Sequence, residues 1–436
     1  MVFLENFWWL LVLIGIMIVI HELGHYWAAR FFGVRIETFS IGFGPRLFGV
    51  RRGETDFRVS AIPFGGYVKM TGEQGGDAID PRGFLAKPRW QRLIIVFAGP
   101  AMNIVLAVAL LTGLFMFRYP KLASWSSEAE IGYVRPDSPA ARAGLLEGDV
   151  ITQIADQPRP TWEDVIMKEV VGAGRELPLL VHREGRTLRF VVTPEAHPRT
   201  GLGQAGWSER TDIEVGGLVP GLDAERKGLK RGDLLVSIGG APVRTIYTIH
   251  ETLKKSDGKP VQLVYRRGAQ DHAVTLQPSL SGAGGQARWM IGVELAPRMI
   301  HTRLPLGAAL RESVDQNVKG ATLIFQFLRA IVERRSSAKS LEGPIRIAQL
   351  SGEAAREGVT TFVSLMATVS LNLAIFNLLP IPILDGGVIL LLLIEMALRR
   401  DLSIPLKEAV FKLGFVFLMM VVVFVLYNDI TKLLPG

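Results

Sequence analysis

Phe7-Trp-Trp-Leu-Leu-Val-Leu-Ile-Gly-Ile-Met-Ile-Val-Ile20 runs without a charge into His21-Glu22-Leu23-Gly24-His25. The first stretch suits a bilayer; the second is a metal-binding pattern. On a helix, His-Glu-x-x-His sets two imidazoles one turn apart on one face, where both reach a single zinc ion. The Glu between them is placed to move protons on a water. Ionisable side chains at membrane depth are costly and mark functional sites. His21 and His25 are therefore expected as metal ligands and Glu22 as the catalytic acid/base. The chain has no cysteine, so disulfides are excluded and any further zinc ligand is a His or a carboxylate.

Working outward, the 436 residues are 49% apolar and carry a net charge of +8. That composition suits a hybrid of membrane spans and folded domains. The apolar runs lie at Phe7–Ala28, Leu93–Phe117, Thr361–Leu379 and Val410–Tyr427, each near the length of about 20 residues that crosses a bilayer. The first reads as a retained span rather than a cleaved signal, because Glu5 is the only charge before it and no small-residue cleavage site follows. Basic residues bunch beside these runs. This is the pattern of a lipid-bilayer partner, and no nucleic-acid motif is present. Arg30–Arg92 holds 11 Lys/Arg against 6 Asp/Glu, and Arg399, Arg400 and Lys407 lie between the last two spans. The positive-inside rule puts both segments in the cytoplasm, with both termini and the region 118–360 outside.

Depth links the first and third spans. Phe7 to His21 is 14 residues, about 21 Å of helix, and Phe362 to Asn377 is 15, about 22 Å. The two spans run in the same direction. The His pair and the break Asn377-Leu-Leu-Pro380-Ile-Pro382-Ile-Leu-Asp385-Gly-Gly387 therefore reach similar depth. Two prolines prevent a regular helix there. Irregular backbone at membrane depth is tolerated only when buried in protein or lining a watery cavity. Asp385 is either part of a turn at the membrane surface or the third ligand of the two-His site, and the matched depth favours the ligand.

Between spans one and two, Val34–Gly44, Phe57–Ile62 and Gly66–Met70 read as strands. Their edge is suited to take an unfolded substrate as an added strand, or they form an ordinary cap on the bundle. Between spans two and three the sequence repeats with a shift of 84. Ala143-Gly-Leu145-Leu-Glu-Gly148-Asp149-Val-Ile151 faces Lys227-Gly-Leu229-Lys-Arg-Gly232-Asp233-Leu-Leu235. Each copy adds a helical stretch (Trp162–Val171; Ile246–Lys254) and two closing strands. The Ala-Gly-Leu-x-x-Gly-Asp-x-Ile string resembles PDZ domains of bacterial proteases, which take an extended peptide along a strand edge with its carboxylate near backbone amides. A purely structural spacer is the other reading. After the repeat, 300–360 is amphipathic and suits the outer membrane surface.

His21-Glu22-x-x-His25 in span one, Gly99-x-x-x-Asn103 in span two and Asn377-x-x-Pro380-x-x-x-x-Asp385-Gly386 in span three together resemble the site-2 protease family. The match covers nearly the whole chain. The resemblance implies a Zn2+-dependent intramembrane endopeptidase of the bacterial inner membrane. It would cut single-span membrane proteins, such as an anti-sigma factor or signal-peptide remnants, after a first cut on the outer side. It implies His21, His25 and Asp385 as zinc ligands, Glu22 as acid/base, and Asn377, Pro380, Asn103, Gly65, Gly66 and Tyr67 as substrate-binding residues. Family members often carry a His after Asp-Gly-Gly; Val388 stands here and is not a proposed ligand.

The expected fold is an α-helical polytopic membrane protein of four spans with a membrane-associated β region and two extracytoplasmic α+β PDZ-like domains. The segments are 1–30, 31–92 and 93–118, the PDZ-like domains 127–197 and 211–280, the linker 300–360, and the last spans 361–400 and 407–430. The domains are expected to bind peptide C-termini or to screen out substrates that still carry a folded outer domain. The rival readings are a catalytically inactive membrane PDZ adaptor and a transporter with a broken helix.

Overall fold

The computed structural model describes residues 2–73, 80–117, 119–122, 128–197, 201–281, 288–333 and 343–433. The chain divides into two compact units. One holds Met1–Tyr119, Arg303–Phe325 and Leu341–Gly436; the other holds Pro120–Thr302 and Gln326–Ser340.

The first unit begins with helix α1 (Val2–Phe31), with Glu5 in its first turn and Arg30 in its last, each complementing the helix dipole. Strands β1 (Ile36–Arg52) and β2 (Thr55–Met70) follow. They are longer than the sequence pattern suggests. β1 continues through Gly44 and Pro45 to Arg52, and the chain turns at Gly53 (φ 64°). Segment 36–41 then pairs on one side with 66–70 and on the other with 56–59, while 46–52 pairs with 55–60. Arginines and glycines break the alternation in 46–52, which hides this strand in the sequence. Ile36, Phe39, Val68 and Met70 pack on Tyr26 and Ala29 of α1 and on Ile95 and Val96 of helix α2 (Arg89–Phe117). Phe43, Leu47, Phe48 and Val50 are exposed. The two helices cross closely, since a Cβ at Gly24 would lie 2.2 Å from the Ala98 carbonyl oxygen.

The second unit contains the repeat, folded twice in the same way. The first module comprises β3 (Ala129–Val134), β4 (Val150–Ile154), α3 (Trp162–Val171), β5 (Leu177–Arg183), β6 (Arg186–Val192) and β7 (Trp207–Glu209), with sheet order β7-β3-β4-β5-β6. The second comprises β8 (Ile213–Leu218), β9 (Leu234–Ile238), α4 (Ile246–Ser256), β10 (Val261–Arg267), β11 (Gln270–Leu276) and β12 (Val293–Pro297), with order β11-β10-β9-β8-β12. Thr161 and Thr245 cap the two helices in equivalent places. The edge strands β7 and β12 lie beyond the expected segments 127–197 and 211–280, because neither falls inside the repeated pattern. Within this unit the modules are joined. Glu130 pairs with Arg210 at 2.7 Å and Arg244 at 3.5 Å, and Tyr133 stacks on Tyr247 with centroids 4.9 Å apart.

The chain continues with α5 (Leu306–Val332), α6 (Pro344–Glu357), α7 (Val359–Asn377), α8 (Asp385–Leu398) and α9 (Ile404–Leu433). Among the described residues, 4 helices are long and apolar enough to cross a membrane: Val2–Phe31, Arg89–Phe117, Val359–Asn377 and Pro405–Thr431. α8 has 14 residues and is too short. α6 packs Ala354 against Leu13 and Met17 of α1 and Phe362 and Met366 of α7. Its N-terminal amides at Gly343 and Ile345 donate to Asp429 of α9.

The repeated Gly-Asp has a structural use. Asp149 is 1% exposed and takes two hydrogen bonds from Arg183, each 2.6 Å. Asp233 does the same with Arg267 at 2.7 Å. Arg183 reaches solvent, so Asp149→Ala chiefly removes a buried acceptor of the Arg183 and Leu146 N–H hydrogen bonds and should destabilise the first module by about 1–2 kcal/mol, read from its urea midpoint. Burial pushes the Asp233 carboxyl up, but Arg267 and the Lys230 N–H hold it below its usual range. Its contribution is therefore present at neutral pH and lost as pH falls below about 4; Asp233→Asn should flatten that acid limb.

Candidate metal centre

Two helices deliver the expected ligands to one point. α1 presents His21 and His25, and α8 presents Asp385 at its first position. His21 Nε2 lies 3.1 Å from Asp385 Oδ2, and His25 Nε2 lies 3.6 Å from Oδ1. The two Nε2 atoms are 3.2 Å apart. Zinc bonds of about 2.0–2.1 Å in a tetrahedron put ligand atoms roughly 3.3 Å from each other, so the set fits zinc and leaves one position open.

The surroundings prepare the ligands. His25 Nδ1–H donates to the Ile95 carbonyl at 2.9 Å, which turns Nε2 toward the shared point as the nitrogen that can bind a metal. His21 Nδ1 faces the Asn103 side-chain amide at 3.3 Å. The other end of that amide is buried without a partner. Amide oxygen and nitrogen are interchanged by a half-turn, and the orientation with Oδ1 toward Nδ1–H is the one that suits a ligand histidine. The Asn103 backbone carbonyl accepts from Ser370 Oγ at 2.9 Å, tying α2 to α7. Gly99 makes the cradle, since a Cβ there would lie 2.3 Å from His25 Nε2 and 2.8 Å from His21 Nε2.

The loop that carries Asp385 is tight. A Cβ at Gly386 would lie 2.2 Å from the Leu379 carbonyl oxygen, and one at Gly387 2.3 Å from that of Ile381. Ile383 is held at φ 88°, a strained state for a β-branched residue that persists only where its surroundings impose it. α9 supports the loop, for a Cβ at Gly414 would meet the Pro382 carbonyl oxygen at 2.3 Å.

Glu22 lies beside the ligand pair, against Gly66 and the backbone of Val68. The remaining expected residues are spread around it. Gly66 faces α1, its position of a Cβ lying 2.8 Å from Ile18 and 3.2 Å from Glu22. Gly65 (φ 104°) sits on the Phe43 ring, and Tyr67 stacks on the same ring at 6.0 Å and accepts a hydrogen bond from Arg58. Asn377 is half-buried at the end of α7 and Pro380 is exposed in the loop. Asn103, expected to touch substrate, is fully buried, with its side-chain amide against the His21 imidazole. Its spacing from Gly99, one helical turn, is the sequence signal for that placement, because both must face α1. The Ile95 carbonyl has no sequence signal at all.

The chain matches the model of peptidase family M50 over residues 9–421. It belongs to that family. It is 32% identical over 450 residues to a Xylella fastidiosa protein provisionally named a zinc metalloprotease, covering 98% of this chain and 99% of the relative. It is 29% identical over 446 residues to the regulator of sigma-E protease RseP of Salmonella typhimurium, covering 97% and 98%. A solved PDZ domain of a Listeria monocytogenes SdrC-like protein aligns with 20% of this chain and 90% of its own length, at 18% identity and a TM-score of 0.17. The M50 chain is thus a metalloprotease of the site-2 type.

The cradle predicts a sharp result. Gly99→Ala has no room for its methyl and should lower zinc affinity at least about tenfold, measured by competition with a chelating dye. Asn103→Leu should lower it in the same range while Asn103→Asp retains most of it.

Proposed function

We propose that this M50 metalloprotease cuts single-span membrane proteins within the bilayer, with Zn2+ held by His21, His25 and Asp385. The observation that carries this is the placement of all three ligands and Glu22 on or between helices apolar enough to span a membrane. A peptide bond reaching them is a bond in a membrane segment. Zinc held there supplies Lewis acidity toward a water and the scissile carbonyl. Glu22 takes a proton from that water as its oxygen attacks the carbonyl carbon, then gives the proton to the departing amide nitrogen as the C–N bond breaks.

The substrate must be extended there, because a helix occupies its own carbonyls. Among the described residues segment 66–70 pairs with 36–41 and with no second strand, so it is an edge of the sheet there, and Gly66 lies next to Glu22. A substrate strand added along Gly65, Gly66 and Tyr67 brings its backbone to the site. Asn377 and Pro380 would hold it from the other side. The basic segment 31–92 lies in the cytoplasm on this reading, and the repeated modules lie outside, in a bacterial inner membrane. The modules are PDZ-like and take peptide C-termini. The family of substrates includes anti-sigma factors and signal-peptide remnants trimmed beforehand on the outer side.

Two measurements test this. Purified Glu22→Gln should bind zinc normally and lose cleavage of a single-span substrate by at least about a thousandfold, in line with loss of a general base. Retained cleavage would remove Glu22 from the mechanism, and an inactive adaptor would show no cleavage in the wild type either. For topology, single cysteines at Arg52 and Arg186, in this cysteine-free chain, should label with an impermeant maleimide at 186 only; labelling at 52 alone reverses the orientation.

A further inference from the structure

Away from the metal centre, α1 ends in a tight turn that gathers arginines. Gly33 (φ 68°) stops the helix, and the N–H groups of Gly33 and Val34 donate back to the carbonyls of Arg30 and Ala29 at 3.1 and 2.8 Å. Val34 and Ala29 are buried in one core, which pins the turn. The Arg35 N–H donates to the Arg82 carbonyl at 2.9 Å and stitches the loop before α2 to this point. Thr55 Oγ1 donates to the Ile36 carbonyl at 2.9 Å and holds the hairpin turn at Gly53 (φ 64°) beside it. Four stretches of chain therefore meet, and each brings an arginine. Arg30, Arg35, Arg52 and Arg82 line one cavity of about 660 Å³, together with the rings of Tyr26 and Phe57.

The cavity is short of anions. Among the described residues that line it, Glu54 is the one carboxylate. It accepts from Arg82 Nη1 and Nη2 at 3.0 and 3.3 Å and stands 3.7 Å from Arg35 Nε. Asp80 adds a second contact to Arg82, whose Nε lies 3.9 Å away, so Arg82 is well neutralised. Arg35 Nε is buried and has no hydrogen-bond acceptor. Arg30 donates to the Tyr26 hydroxyl at 2.9 Å, and among the described residues neither Arg30 nor Arg52 meets a carboxylate. A fifth cation stands at the rim, for a Cβ at Gly33 would lie 3.9 Å from Lys87 Nζ. Cations gathered this way repel one another until an anion joins them, and a phosphate group accepts the forked N–H pairs that guanidinium groups present.

The faces of α1 show where the rest of such a ligand lies. Tyr26 and Arg30, one turn apart, face the cavity. Trp27 and Phe31, also one turn apart, form the neighbouring row and are exposed. Phe31 meets Phe32 edge-on, and Phe32 meets the exposed Trp90 at the start of α2, with centroids 5.1 and 5.5 Å apart. Exposed indole rings at the end of an apolar span mark the membrane–water interface. The site thus offers cations to a head and aromatic surface to an apolar body. We propose that this cavity binds the headgroup of an anionic phospholipid, with its phosphate among Arg30, Arg35 and Arg52 and its acyl chains along Trp27 and Phe31. The inference rests on the membrane reading of α1 and is independent of proteolysis. A bound lipid ties the hairpin turn and the loop at Arg82 to the end of the helix that carries His21 and His25.

Native mass spectrometry of the full chain, delipidated in detergent, counts bound lipids directly. The probes are phosphatidylglycerol and phosphatidylcholine with the same acyl chains. One phosphatidylglycerol should bind at least about tenfold more tightly than phosphatidylcholine. Arg30→Gln with Arg52→Gln should abolish that preference. Arg51→Gln with Arg400→Gln removes the same charge from two exposed positions outside the cavity and should keep it. Glu54→Gln takes away the cavity's own carboxylate and should tighten phosphatidylglycerol binding about threefold; it decides the matter if the first arginine pair fails to fold. Glycerol 3-phosphate and inorganic phosphate, added at the lipid's concentration, should displace no lipid. Displacement by either one overturns the lipid as occupant, because the acyl chains would then add nothing. Equal loss of preference in both arginine pairs, loss in neither, or weaker phosphatidylglycerol binding in Glu54→Gln overturns the site.

Discussion

A carboxylate set among apolar helices needs a cation, and much of the membrane unit serves that need at Asp385. Two imidazoles meet it at 3.1 and 3.6 Å. They can do so because α1 and α2 approach closely at Gly24 and because Gly99 leaves their Nε2 atoms a hollow. Asp385 arrives there because two glycines let α8 start hard against the loop before it. The backbone carbonyl of Ile95 and the buried amide of Asn103 then fix which nitrogen of each ring faces inward. Glycines, a carbonyl and an amide contribute nothing to the list of ligands, yet they decide whether the ligands converge.

The meeting of His21, His25 and Asp385 was legible in the sequence because it obeys simple arithmetic. The helical rise places His21 and the break after Asn377 at one depth, and the prolines show that the third span cannot stay regular there. The duplication was legible because its Gly-Asp turns and helix starts recur at a fixed step. What was hidden lies where pairing is long-range or the backbone acts alone. Strand 46–52 reads as a basic, glycine-broken segment and becomes a strand only by folding back on 55–60. The edge strands β7 and β12 carry no shared motif, and each is recruited by β3 or β8 from well beyond the repeat. Asn103 is named as a substrate contact by the family resemblance alone; in the fold it is buried, with its amide at the His21 imidazole.

The modules show how one scaffold, built twice, carries different side chains at equivalent places. Asp149 with Arg183 and Asp233 with Arg267 hold the same turn in each. Such pairs fix shape and leave the rest of each module free to diverge. Glu169 stands on the helix of the first module where Leu253 stands in the second, and Trp207 on the edge strand where the second has Val293.

The loop on which Asp385 sits leans on α9 through Pro382 and Gly414. Asp385 is made 360 positions after His25, and Gly414 follows that (385 − 25 = 360). The two imidazoles therefore cannot meet their carboxylate until everything between has been translated, and the support that Gly414 lends the loop comes later still. Chain order alone separates the making of the parts from their meeting.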